Sequence, residues 1–206
     1  MAQRTDSGIA TVLAIGVFIA VVATWVFISP AVIRSAWMTE RGEVYALAGE
    51  GEHVVYGQAV RSLNDSMAKD FKGFLAEAES IGQGPLGNAS LSQWMRSRIE
   101  ATWLWIGLLV YRLHVLIGWL VPGIPLALVS YLDGHYIREI RKFSFVAQSP
   151  IRHKLGIRVM WVALVGLSCW LLMPIPLPLP ALIAPVLTVS LSYSLWLWVS
   201  NLQKRL

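Results

Sequence analysis

Residues Tyr131 to Arg158 read YLDGHYIREIRKFSFVAQSPIRHKLGIR, and this is the one strongly basic connection in a chain otherwise built of apolar spans. It carries Arg138, Arg141, Lys142, Arg152, Lys154 and Arg158 against Asp133 and Glu139. Short Lys/Arg-rich connections between membrane spans stay on the cytoplasmic face, so this stretch sets the sidedness of everything around it. The whole chain of 206 residues is 56% hydrophobic and 14% charged, with ten Trp. Soluble domains hold roughly 45–50% apolar and about 25% charged residues, so the composition is that of an integral membrane protein.

Working outward, Ile9 to Ser29 is an uncharged run long enough, at about 1.5 Å per residue, to cross a hydrocarbon core of roughly 30 Å. Its length and the aromatic end at Trp25 and Phe27 predict an uncleaved anchor, transmembrane helix 1, preceded by a cytoplasmic N-terminus over 1–8. From Pro30 to Glu100 the chain turns polar, with seven basic and nine acidic residues. A long, balanced loop of this kind tolerates translocation, which predicts a periplasmic loop over 30–100. Within it Val60, Leu63, Met67, Phe71, Phe74 and Ala78 recur three and four apart, the pattern of an amphipathic helix from about Gly57 to Ser80.

Ala101 to Leu132 is apolar apart from Arg112 and His114. It is too long for one perpendicular span and too short for two with a turn, which predicts one protruding helix, kinked at Pro122 and Pro125, containing transmembrane helix 2. Ionisable residues inside a membrane are candidates for a relay or an ion path. Two positions apart on a helix, however, Arg112 and His114 point about 200° from each other, so interfacial anchoring with Arg112 snorkelling to headgroups is the expectation.

The basic loop follows over 133–155. Tyr136, Ile137, Ile140 and Phe143 form an apolar face opposite Arg138, Arg141 and Lys142, the pattern of an interfacial helix lying on anionic lipid. Ser149-Pro150 reads as N-cap and first residue of the next helix, whose first turns carry Arg152, His153, Lys154 and Arg158 at the cytosolic surface and which holds transmembrane helix 3 over 156–173. The PIPLPLP run over 174–180 cannot continue a helix and predicts a rigid periplasmic turn. Transmembrane helix 4 spans 181–200, with small residues Gly166, Ser168, Ser190, Ser192 and Ser194 allowing it to approach transmembrane helix 3. Lys204 and Arg205 close the chain on the cytoplasmic side. The expected fold is therefore all-α: a polytopic membrane protein of four transmembrane helices, both termini cytoplasmic, with a small helical periplasmic loop domain.

No catalytic constellation emerges. Cys169, the single cysteine, lies inside an apolar span as an expected buried thiol, and no Cys/His set has zinc-ligand spacing, so neither metal nor cofactor is expected. The cytosolic segments are too short for a DNA-binding domain, so direct nucleic-acid contact is not expected despite the net charge of +5.

The run Asp133-Gly134, then Arg138-Glu139-Ile140-Arg141-Lys142-Phe143, then Ser149 and His153, resembles the hallmark segment of the integrating conjugative element membrane proteins, a family encoded by conjugative elements and plasmids. Where that family usually has a Gly-rich link, this chain has Ser144 to Gln148. The resemblance implies a non-enzymatic inner-membrane subunit of a conjugative DNA-transfer, type IV secretion-like, apparatus. On that reading Asp133, Gly134, Arg138, Arg141, Lys142, Phe143, Ser149 and His153 form a docking surface. Its partners would be other membrane proteins of the apparatus, the coupling ATPase, anionic lipid and, in a homo-oligomer, further copies of the chain. The reading from a different class is a small transporter or channel component, built on Arg112, His114 and the kink at Pro122.

Overall fold

The computed structural model describes residues 15–16, 18–83, 89–143, 150–174 and 180–202. Six helices follow one another among the described residues: α1 (Phe18–Phe27), α2 (Pro30–Ala48), α3 (Glu50–Gln83), α4 (Ala89–Phe143), α5 (Pro150–Leu172) and α6 (Pro180–Ser200). Three of them hold segments long and apolar enough to cross a membrane, namely Ala89–Arg141, Ile151–Leu172 and Ala181–Ser200. The protein is thus an all-helical membrane protein.

Helix α4 is the axis. Its 55 residues would extend about 82 Å, far more than a bilayer core requires. The half after Arg112 packs mainly against α6, and the half before it packs against the hairpin of α2 and α3. On the α2–α3 side, Ile33, Ala101 and Leu108 form one small core. Phe71 meets Trp103 edge to face at 5.7 Å between ring centroids. A second core joins the two halves: Val44 and Ala59 from the hairpin, Tyr111, Val115 and Leu116 from α4, Trp170 from α5, and Ala181 and Ala184 from α6.

Local chemistry explains the breaks. Ser29 caps α2 by accepting from the Val32 amide at 3.4 Å, with Pro30 at the first helical position where no amide is needed. Gly49 ends α2 at φ 55, a left-handed conformation that costs glycine little, and its amide reaches the Tyr45 carbonyl at 2.8 Å.

Several sequence expectations need correction. The first span was expected as one helix over 9–29; residues 9–14 and 17 lie outside the described residues, and the described part ends at Phe27, where the chain bends by 107° into α2. Only if that bent pair is one span does the number reach four. The Pro-rich turn falls mostly outside the described residues, as do Gly84 to Asn88. Residues 133–143 are not a separate interfacial helix but the continuation of α4, which also runs through Pro122 and Pro125. Gly134, the weakest helix former in that stretch, is held by packing instead of propensity. Cys169 is exposed on α5, which an apolar helix facing lipid permits.

Close approach to α6 depends on glycine at three places. A Cβ on Gly123 would run into Thr188, one on Gly134 would meet the Trp196 carbonyl at 3.2 Å, and one on Gly156 would meet the Trp198 amide nitrogen at 3.1 Å. Without a hydrophobic drive between helices in lipid, such backbone contact is what holds a bundle together. Ser192 and Ser194 are buried on α6 and spend their hydroxyls on its own carbonyls at 3.0 and 2.8 Å, whereas Ser168 lies on the exposed side of α5.

Candidate functional site

The last carbonyls of a helix lack partners within it, and in an apolar environment each orphan must be satisfied from outside. Helix α4 supplies three arginines that do this for three other helices. Near its start, Arg98 Nη1 donates to the carbonyls of Trp25 (2.7 Å) and Val26 (2.8 Å), closing the end of α1. Near its end, Arg141 Nη1 donates to the Ser200 carbonyl and to Asn201 Oδ1, both at 3.2 Å, closing the end of α6. Midway, Arg112 Nη1 donates to the carbonyls of Trp170 and, at 2.7 Å, Met173, closing the end of α5. Trp105 Nε1 covers the neighbouring Leu172 carbonyl at 2.8 Å.

Arg112 also holds the only fully buried ion pair among the described residues. Its Nε donates to Glu40 Oε2 at 2.9 Å and its Nη2 to Glu40 Oε1, with Arg112 and Glu40 0% and 2% exposed. This is the forked geometry in which a guanidinium meets a carboxylate with two parallel bonds. Four hydrogen bonds occupy most of the five N–H donors Arg112 has. The guanidinium carbon lies 5.7 Å from the Trp170 ring centroid. One side chain therefore ties α2, α4 and α5 at the point where the polar hairpin meets the apolar bundle.

A second pair lies beside it on the hairpin. Arg41 Nε donates to Glu52 Oε1 at 2.7 Å, and its guanidinium carbon sits 3.5 Å from the Tyr56 ring centroid. Glu52 is 1% exposed, so the two buried carboxylates of the hairpin, Glu40 and Glu52, are both paired.

Arg112 therefore does not snorkel to headgroups. Its partner lies 72 positions away in the polar loop, out of reach of any local spacing rule. One signal was legible: Ile33, Ala36, Glu40 and Val44 are the buried face of α2, at helical spacing, and an acid on such a stripe asks for a buried cation. His114 points elsewhere, its Nδ1–H donating to the Val110 carbonyl one turn back at 2.8 Å, so the two intramembrane ionisable residues do not form one site.

The basic segment is brought together in part. Asp133 accepts from Trp196 Nε1 at 2.7 Å and Gly134 is buried against α6, so this dipeptide and Arg141 all engage the end of α6. Arg138 and His153 are half-buried, with Arg138 Nε and His153 Nδ1 unpartnered among the described residues. Phe143 is 81% exposed. The Lys142 side chain and Ser149 lie outside the described residues.

A family model described as IncC plasmid conjugative DNA transfer protein DtrJ-like matches residues 61–203, which include most of α3 and all of α4, α5 and α6. No curated protein and no solved structure matches the chain.

Proposed function

We propose that this chain, which belongs to the DtrJ-like family of IncC plasmid conjugative DNA transfer proteins, is a non-enzymatic scaffold of the transfer apparatus that docks the coupling ATPase. A role in conjugation follows from the family. The scaffold reading rests on one observation: a single continuous helix, α4, carries a folded hairpin on one half and a basic end on the other, with Arg98, Arg112 and Arg141 spent on closing neighbouring helices. Such a part holds others in register.

In this reading the protein sits in the bacterial inner membrane with the basic end of α4 in the cytoplasm and the α2–α3 hairpin in the periplasm. The charge excess of Tyr131 to Arg158 supports that sidedness. Alkaline phosphatase fused near Ser80 is expected to be active and fused near Gln148 inactive; the reverse pattern would refute the assignment. The likeness of the Asp133 to His153 segment to integrating conjugative element membrane proteins supports transfer machinery of the type IV secretion class.

The docking surface of the proposal is the basic end of α4, with Arg138, Lys142 and Phe143, of which Phe143 is exposed and Arg138 half-buried. Arg141 is set apart because it closes α6 and its loss would disturb the bundle. Replacing Arg138 and Lys142 by Gln removes two basic residues worth about 1 kcal/mol each at an anionic surface, little beside the inserted spans. Membrane content is expected to stay at the parental level while co-purification of the coupling ATPase and mating frequency fall several-fold. Parental co-purification and mating would remove the docking role.

The rival transporter reading would need Arg112 free to exchange partners, whereas the Glu40 carboxylate and two carbonyls hold it. The scaffold reading makes that arrangement a tie.

A further inference from the structure

The turn between α2 and α3 sits deeper than a water-exposed loop has reason to. Val44, near the end of α2, shares a core with Trp170, Ala181 and Ala184. Those three residues lie inside the apolar segments Ile151–Leu172 and Ala181–Ser200. The hairpin end is therefore at span depth, and side chains there that point outward face whatever surrounds the spans.

Three of those side chains are large and apolar. Tyr45, Leu47 and Val54 are 46%, 49% and 61% exposed. Two of the charges at the same level are turned inward and neutralised, Glu40 by Arg112 and Glu52 by Arg41. Internal pairing of acids beneath an apolar exterior is the arrangement that a low-dielectric surrounding demands and water does not. Glu50 and His53 remain exposed and Glu43 half-buried, so insertion stops at headgroup level. The Tyr45 ring, edge to face with His53 at 5.3 Å between centroids, suits that boundary, where an apolar body and a polar tip are both accommodated.

We infer that the α2–α3 turn is a membrane-docking element, seated at the headgroup and acyl boundary of the leaflet at that end of the spans, with phospholipid as its occupant. Lipid and not a protein partner is assigned because the core that Val44 shares with Trp170, Ala181 and Ala184 sets the turn at the ends of the apolar segments of α5 and α6. The inference does not depend on the scaffold role. It gives the hairpin a second attachment besides the Arg112–Glu40 tie, so that the hairpin stands fixed relative to the bilayer as well as to α4.

The test uses the full-length protein alone, purified and reconstituted in phosphatidylethanolamine and phosphatidylglycerol vesicles. In a Cys169→Ser background, single cysteines at Leu47, Val54, Ser80 and Val129 receive a nitroxide label. Val129, exposed in the α4 span, serves as the lipid standard, and Ser80, exposed far along α3, as the water standard. The expected result is an oxygen-to-nickel-chelate collision ratio at Leu47 and Val54 several-fold above that at Ser80 and approaching that at Val129. Ratios at Leu47 and Val54 equal to that at Ser80 would overturn the inference and assign the patch to a protein partner.

Discussion

Arg112→Gln and Glu40→Gln, made singly, should each destabilise the protein by about 3–5 kcal/mol, the range for leaving one member of a buried pair without its partner. The Arg112 variant strands the Glu40 carboxylate, 2% exposed, and releases the carbonyls of Trp170 and Met173. The Glu40 variant leaves a guanidinium at 0% exposure without its anion. Made together, the two substitutions place neutral amides where two charges were, and amides both donate and accept. The double variant is therefore expected to cost clearly less than the sum of the singles, as residues in one hydrogen-bond network do. Denaturant titration of the detergent-solubilised protein, followed by Trp fluorescence, measures all three. Equal and additive losses of under about 1 kcal/mol would show an exposed, weakly coupled pair.

Gly134→Leu is expected to be nearly as damaging. A Cβ at that position meets the Trp196 carbonyl at 3.2 Å, the Val199 Cβ at 3.3 Å and the Ser200 amide nitrogen at 3.4 Å, and two of these are backbone atoms of α6 that cannot step aside alone. Overpacking of this kind costs about 1–3 kcal/mol. Moving α6 away also stretches the Trp196–Asp133 and Arg141–Ser200 hydrogen bonds, at about 1 kcal/mol each. Gly118→Leu is the control, because a Cβ there meets nothing within 4 Å. We expect Gly118→Leu to leave the amount of folded protein in the membrane unchanged and Gly134→Leu to reduce it several-fold. Equal behaviour of the two would mean that α6 does not rest on α4 at this point.

The same two places show what was legible in the sequence. Hydropathy located the spans within α4, α5 and α6, because length and absence of charge are one-dimensional properties. The basic stretch read as a surface, whereas Asp133, Gly134 and Arg141 within it share one structural task at the end of α6. The continuity of α4 was not legible: Gly134 and the charge shift after Leu132 read as a boundary, and only the contact with α6 carries the helix past them. The Arg112–Glu40 pair was half legible. Arg112 stood out in its apolar run, but its partner lay in a loop whose charges looked balanced by count, and spacing rules do not reach across 72 residues. The bend at Ile28–Ser29 had a local signal, Ser before Pro, set against a hydrophobic run that pointed to one straight helix.

In the scaffold reading the buried Arg112–Glu40 pair is a tie that holds the hairpin to the spans, not a relay that moves a charge. Mating frequency of the Glu40→Gln, Arg112→Gln double variant tests this most directly, at membrane levels matched to the parent and with a clean deletion as baseline. Neutral amides can hold helices together but cannot titrate. Transfer is expected within a few-fold of the parent and far above the deletion. A double variant present at the parental level yet transferring no better than the deletion would contradict it.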